Sequence, residues 1–309
     1  MGLFIGCSSA LVRELLDRSI RSPQELEEML GDRLLGVIPH VSTQKRPLSR
    51  EPSRASIRGA APQIIRSITA AADVSRRDLA CETSSFLEAV RTLRTSLLSL
   101  HGDRSPKVVL VTSSVAREGK SKLIATLAVV LAQLNARVLL VDADLRRPTL
   151  HKELNLKDTS GLGAALLEAS PPIVHPHPEC PGLSVLCGAS TPALPSELLA
   201  SKRMSDLLSD WRSEYDFVLL DSPPILPVAD ARVLASMSDV TVLVARHRFT
   251  SRLAVQRSHQ LITQQLPERA MVGAVLNCVS FESADYYEYY GYRNAARPSR
   301  SRRKRYADA

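Results

Sequence analysis

Runs of valine, leucine and isoleucine without polar alternation recur along the C-terminal two thirds of the chain. They fall at Val108–Thr112, Arg137–Val141, Leu183–Leu186, Phe217–Leu220, Val240–Ala245 and Met271–Leu276. A strand that is apolar on both faces is buried on both faces, so these runs predict a mostly parallel sheet flanked by helices, an α/β fold. Apolar residues at helical spacing predict helices over Glu82–Leu100, over Gly119–Leu134 and between most of the later strands. Nearer the N-terminus, Arg13–Arg21 continues a helical pattern. Ser22-Pro23-Gln24-Glu25 then places a cap, a proline at the first helical position and a capping-box glutamate ahead of Leu26, Met29 and Leu30. Leu34–Pro39 reads as a short extended run. Ser42 to about Arg77 is rich in Ser, Arg, Pro and Ala with little apolar periodicity, a linker with a helical turn near Ile64–Ala72. The organisation predicted is an N-terminal helical segment (1–41), a linker (42–80), an α/β domain (81–280) and a Tyr-rich and basic tail (281–309).

At 309 residues and 44% hydrophobic content, the chain has enough apolar surface for a real core, which excludes a collagen, a mucin or a wholly disordered polymer. Its five cysteines are scattered and never spaced as CxxC, so they suggest neither a disulfide framework nor a zinc ribbon, and a reducing cytosol fits best. The net charge of +8 is concentrated in residues 291–309, where seven basic side chains face one acid, Asp308. The rest of the chain is therefore close to neutral, and no basic folded surface for nucleic acid is needed to explain the charge. The tail itself is either a solvated end or a partner of an anionic membrane surface. No stretch has the roughly 18 to 20 apolar residues of a membrane-spanning helix. Met1–Val12 is apolar but short and lacks a basic leader, so it is not a signal peptide. It reads as the last turns of a spanning helix or as an apolar N-terminal helix.

Between the first strand and its helix lies Ser114-Val115-Ala116-Arg117-Glu118-Gly119-Lys120-Ser121, followed by Lys122. Its ending is that of a P-loop, in which backbone N–H groups and a helix N-terminus cradle phosphates, the lysine reaches the β/γ oxygens and the serine hydroxyl ligates Mg²⁺. Ser114 stands where the strict motif has glycine. Two further strand ends carry the carboxylates that such a site needs for its metal. One runs into Asp142-Ala143-Asp144-Leu145-Arg146-Arg147-Pro148, the other into Asp221-Ser222-Pro223-Pro224. Each alone reads equally as a strand followed by a polar turn. Three together point to phosphoryl chemistry.

This trio resembles the bacterial tyrosine kinase (BY-kinase) family, the polysaccharide biosynthesis tyrosine autokinases, whose P-loop NTPase fold is of the ParA and MinD type. The resemblance extends over most of the chain. Arg21 to Pro39 is similar to the segment that follows the second transmembrane helix in single-chain members, and Met1–Val12 to that helix's end. Glu88, Arg91 and Arg94 match an ExxRxxR helix, which implies packing between subunits of a ring. Val228-Ala229-Asp230-Ala231 matches the VxDA segment after the family's LDSPP strand.

Five of the seven tyrosines, Tyr286, Tyr287, Tyr289, Tyr290 and Tyr292, sit within seven residues beside the basic tail, without a folding period. They read as a packing patch or, as the resemblance implies, as a cluster of phosphate acceptors. The cofactors implied are ATP and Mg²⁺. Nucleotide would rest on Ser114, Arg117, Glu118, Gly119, Lys120, Ser121, Lys122 and Arg146. The metal would be held by Ser121, Asp142 and Asp221, and Asp144 or Asp142 would take the tyrosine proton beside Lys120. The partners implied are a ring of copies of this chain, a membrane polysaccharide co-polymerase that activates it, and a cognate tyrosine phosphatase, at the cytoplasmic face of the inner membrane. Ala116, Arg117 and Lys122 depart from the family's Pro, Gly and Thr, and Arg117 is expected to strain the loop or crowd the nucleotide. Two alternatives stay open. One is a MinD- or ParA-type ATPase without kinase activity, against which stands Val115 where those proteins carry a signature lysine. The other is a degenerate, non-catalytic scaffold of the export machinery. Among smaller features, His175, His177 and Cys180 read as an exposed loop more readily than a metal site. Asp230 reads as an outer partner of the magnesium or a helix cap, and Trp211 as a packing residue.

Overall fold

A computed structural model describes residues 18–31, 34–40, 77–100, 105–154, 156, 161–168, 171–188 and 192–280. The apolar start, the linker up to residue 76 with its expected turn, the tyrosine cluster and the basic tail lie outside the described residues.

The six apolar runs form β2 (Val108–Ser113), β3 (Val138–Asp142), β5 (Leu183–Leu186), β6 (Phe217–Asp221), β7 (Val240–Arg246) and β8 (Met271–Val279). With β1 (Leu34–Pro39) and β4 (His175–Pro176) they make one sheet in the order β1-β8-β7-β2-β6-β3-β5-β4. All neighbours run parallel except β4, which is antiparallel to β5. Helices lie on both faces, as the runs predict. Val109, Val111, Leu140 and Leu219 face Phe86, Leu93 and Leu97 of α2 (Arg77–Ser99) and Ile124, Leu127 and Leu131 of α3 (Lys120–Ala132). The residues one step along, Val108, Leu110, Leu139 and Leu220, face the opposite layer. That layer is built from α1 (Pro23–Leu30), α7 (Lys202–Glu214), α8 (Asp230–Ala235) and α9 (Arg252–Thr263). Burying each such leucine or valine contributes about 1.5–3 kcal/mol, so each of these residues is committed to one layer or the other. Trp211 packs in the second layer, as expected. Short helices α4 (Leu150–Glu153), α5 (Leu162–Leu167) and α6 (Pro195–Leu199) fill the connections beyond β3.

The N-terminal part differs from its pattern. Residues 18–21 form no helix; Ser19 pairs with Ser251 in an antiparallel bridge, and the N–H of Ile20 donates to the Thr250 carbonyl at 2.9 Å. Ile20 is fully buried, and these backbone bonds are what burying it in extended form requires. Helix α1 then starts as the capping signal says: the Ser22 hydroxyl accepts the Glu25 N–H, Pro23 opens the helix, and Gly31 closes it at φ +69°. The extended run Leu34–Pro39 joins the sheet as its edge strand beside β8, and α2 begins at Arg77, inside the stretch read as linker. Among the described residues, no helix is long and apolar enough to cross a membrane.

Candidate active site

Strands β2, β6 and β3 are neighbours, and their C-terminal ends bring the three motifs together. Asp142 and Asp221 are register partners across β3 and β6, and Val111 of β2 is the partner of Asp221 on its other side. The P-loop leaves β2 at Ser113 and enters α3 at Lys120. Gly119 caps that helix at φ +89°, a backbone conformation that demands glycine, and a Cβ there would also push the Asn277 amide from its place on the Glu118 carbonyl. Arg117 has φ +69° with an exposed side chain, the conformation glycine adopts without penalty, and this is the strain expected of the replacement.

The Lys120 ammonium lies 3.4 Å from Asp221, 3.5 Å from Asp144 and 3.2 Å from the Ser121 hydroxyl. Burial works against its charge, but Asp221, Asp144 and Asp142 more than offset this and hold its pKa above the ordinary lysine value. Asp142 is fully buried and pushed up to about 8 by that burial and by the charge of Asp221. Backbone N–H groups of Thr149 (2.9 Å) and Leu150 (3.0 Å) pull the other way by donating to it. Asp221 is also raised, by burial first, with Lys120 acting in opposition. Three carboxylates thus share one ammonium, and Asp221 Oδ2 is buried without a hydrogen-bond partner. A hydroxyl and carboxylate oxygens with one lone pair unspent are the donors that a hard cation such as Mg²⁺ takes. Among the described residues, no group of three or more His, Cys, Asp or Glu side chains is arranged to hold a metal ion. The residues therefore fit a magnesium ion that keeps waters and takes the rest of its shell from substrate phosphates.

The other expected site residues have side-chain partners of their own. The Ser114 hydroxyl is buried and accepts from Ser258 of α9 at 2.9 Å. The Glu118 side chain turns inward, accepting the Val115 N–H at 2.8 Å and the Thr250 hydroxyl. Both leave only their backbone for a nucleotide. The Lys122 ammonium rests 5.3 Å from the centre of the Phe86 ring. Arg146 makes a two-pronged pair with the buried Asp230, at 2.8 and 3.0 Å, and also reaches Ser196. Asp230 therefore does not cap its helix; it holds the Arg146 guanidinium. On α2, Glu88 and Arg91 pair with each other on the exposed surface, while Arg94 donates to the Val130 carbonyl of α3 at 3.1 Å. In the stretch expected to be an exposed loop, Pro176, Pro178 and Glu179 are exposed, but the His177 and Cys180 side chains are buried beside β4 and β5. The sequence reading did not pick out Thr149, whose hydroxyl donates to Ser121 at 3.2 Å, or Asn277, whose amide donates to the Glu118 carbonyl at 2.8 Å.

Burial raises the Glu118 carboxyl to about 7, against the hydrogen bonds from Thr250 and Val115. A folded pKa above the unfolded one means that the native state holds a proton the unfolded chain has released. Stability then falls as pH rises from about 4.5 to about 7 and stays low above it. This difference is worth at most about 3 kcal/mol. Glu118→Gln is expected to melt higher than wild type at pH 8 and to lose that advantage at pH 5; parallel melting curves for the two proteins would contradict this.

Comparison with known proteins agrees with this geometry. The family model described as ParA: NUBPL iron-transfer P-loop NTPase matches residues 105–296. The chain is 38% identical over 206 residues to tyrosine-protein kinase YwqD of Bacillus subtilis (strain 168), covering 66% of this chain and 86% of that protein. It is 31% identical to tyrosine-protein kinase ptk of Acinetobacter johnsonii over 93% of its own length, but spans only 37% of that relative. The kinase domain of Escherichia coli tyrosine kinase ETK superposes with a TM-score of 0.70 at 29% identity, covering 86% of this chain and 97% of that domain.

Proposed function

Because the chain belongs to the bacterial tyrosine-protein kinases, within the ParA family of P-loop NTPases, we propose that it transfers the γ-phosphoryl group of ATP to tyrosines of its own C-terminal cluster. Nucleotide and Mg²⁺ binding goes with the P-loop family; ATP as the donor is part of this proposal. The observation that carries it is the Lys120 ammonium set between Asp144 and Asp221 at the end of the P-loop.

The N-terminus of α3 and the loop's N–H groups would cradle the phosphates, and Lys120 would swing from its carboxylates to the β/γ oxygens. Ser121 Oγ and the free oxygen of Asp221 would hold magnesium, with Asp142 behind them; bound there, it supplies neutralisation of charge on the phosphates. Asp144 is better placed than Asp142 to take the phenolic proton. Both carboxylates accept N–H donors on each oxygen, but Asp142 is fully buried whereas Asp144 retains some exposure beside Lys120. The phenol oxygen forms its bond to the γ-phosphorus, the bond to the β,γ-bridging oxygen breaks, ADP leaves, and the proton passes to Asp144.

The wider reading follows the family resemblance. Glu88, Arg91 and Arg94 would hold copies in a ring, raising the effective concentration of a neighbour's tail. A membrane polysaccharide co-polymerase would activate the kinase at the cytoplasmic face of the inner membrane, a phosphatase would reset it, and polysaccharide synthesis and export would be the process regulated. Phosphates on the cluster bring roughly −1.5 to −2 charges each, enough to reverse the charge of the tail and loosen the ring. Incubating the chain with γ-labelled ATP and Mg²⁺ tests the central claim. Label on tyrosine is expected; hydrolysis without label would leave an ATPase, and neither would leave a scaffold.

A further inference from the structure

The P-loop is fastened from behind by an element outside the nucleotide motifs. The turn after β7 places the Thr250 hydroxyl, itself almost fully buried, on Glu118 Oε1. That hydroxyl accepts the Arg246 N–H at 2.8 Å, which leaves its proton for Glu118. The other Glu118 oxygen takes the Val115 N–H at 2.8 Å, so one carboxyl joins the two ends of the loop to the turn. The Arg246 guanidinium donates to the Arg117 carbonyl at 3.1 Å and lies 5.2 Å from the Phe249 ring centre. Arg117 is the strained residue, at φ +69°. The turn is in turn backed by residues 18–21: Ile20 N–H donates to Thr250 O at 2.9 Å, Arg248 N–H to Ile20 O at 2.8 Å, and Arg252 N–H to Arg18 O at 3.0 Å.

A phosphate cradle works only if its N–H groups converge before the ligand arrives, and a non-glycine residue at positive φ pulls the loop away from that shape. Something must hold it: the Arg246 and Asn277 side chains reach the loop's carbonyls, and Glu118 and Thr250 join the loop to the turn. We propose that Thr250, acting through Glu118, is a positioning residue for the nucleotide: the hydroxyl–carboxyl contact holds the P-loop in its phosphate-binding shape around Arg117. This rests on the kinase reading, since it presumes that phosphates bind in the loop. Thr250 touches no reacting atom, so its loss is expected to act on nucleotide affinity and not on the transfer step.

The test uses the full chain as wild type, Thr250→Val, which keeps the shape and removes the hydroxyl, and Thr250→Ser, which restores it. Thr250→Val is expected to raise the KM for ATP about tenfold with kcat changed by less than about threefold, the factor one such contact is worth. Thr250→Ser is expected to return KM to near wild type. Hydrogen exchange of the nucleotide-free proteins is expected to show faster exchange over residues 115–119 in the valine variant, reversed by serine. Unchanged KM and exchange in Thr250→Val, or equal losses of kcat and KM that serine does not rescue, would overturn the inference while leaving the kinase reading intact. Absence of saturable nucleotide uptake by the wild type would overturn both.

Discussion

Replacing Lys120 by methionine is expected to abolish tyrosine phosphorylation, lowering kcat/KM for ATP at least about a hundred- to thousandfold, the range seen when a preorganised group facing developing charge is removed. The side chain keeps its length and apolar stem, so what is lost is the ammonium. That ammonium also has a structural task, because it is the cation set between Asp221 and Asp144. Without it, Asp221, which is fully buried, faces Asp142 and Asp144 with no counter-charge. Leaving such a charge uncompensated costs about 3–5 kcal/mol, unless a proton neutralises it. The carboxyls of Asp142 and Asp221 already sit above their ordinary range, and loss of the lysine raises them further. Groups raised on folding stabilise the native state below their unfolded pKa and lose that contribution as pH climbs through the folded one. The methionine variant should therefore melt well below wild type at pH 8 and recover part of the difference at pH 6, while remaining inactive at both. Labelled-ATP assays and melting curves at the two pH values check this. Phosphorylation at the wild-type rate would remove Lys120 from the mechanism; an activity loss with no pH-dependent change in stability would remove the carboxylate account.

How much of this was legible beforehand follows from which contacts are local. Strands β2, β3, β5, β6, β7 and β8 were visible because burial on both faces leaves no polar position to interrupt the run. The P-loop and the two aspartate-bearing strand ends were visible because each motif is contiguous, and the parallel sheet was certain to bring strand C-termini to one edge. Residues 34–39 read as an extended run but not as a sheet strand: six residues containing a glycine and a proline, followed by a polar stretch, announce no pairing partner. Their partner, β8, lies more than two hundred positions away. The pairing of Arg146 with Asp230, 84 residues on, is a tertiary fact with no local signal. The same holds for Thr250 and Asn277, which reach Glu118 across 132 and 159 residues. Residues 18–21 continue a helical pattern in sequence but are extended for a related reason: Ile20 pairs its backbone with the turn after β7.

Mixing two inactive proteins should restore labelling, and this distinguishes transfer between chains from transfer within one. A donor variant with Tyr286, Tyr287, Tyr289, Tyr290 and Tyr292 all replaced by phenylalanine keeps the active site and lacks the cluster. An acceptor with Lys120→Met keeps the cluster and lacks the lysine. Each alone is expected to incorporate almost no label, a loss of more than about tenfold relative to wild type, and the mixture to label the acceptor on tyrosine. Tether length alone does not decide the matter. Strand β8 ends at Val279, on the same sheet edge as the site, and is separated from β2 only by β7. Two strand spacings are about 10 Å, and the six Cα–Cα steps from Ser280 to Tyr286 can extend at most about 20 Å, so a chain's own site is within reach. What favours the neighbour is in-line geometry: the phenol oxygen must approach the γ-phosphorus opposite the leaving oxygen, and a short tether fixed at β8 restricts the directions of approach. A tail offered by an adjacent copy is free of that restriction, and a ring would supply it at high effective concentration. Silence from the mixture while wild type labels itself would place the transfer within one chain. Self-labelling of the phenylalanine variant on tyrosine would move the acceptor to Tyr215 or Tyr306, the two tyrosines outside the cluster.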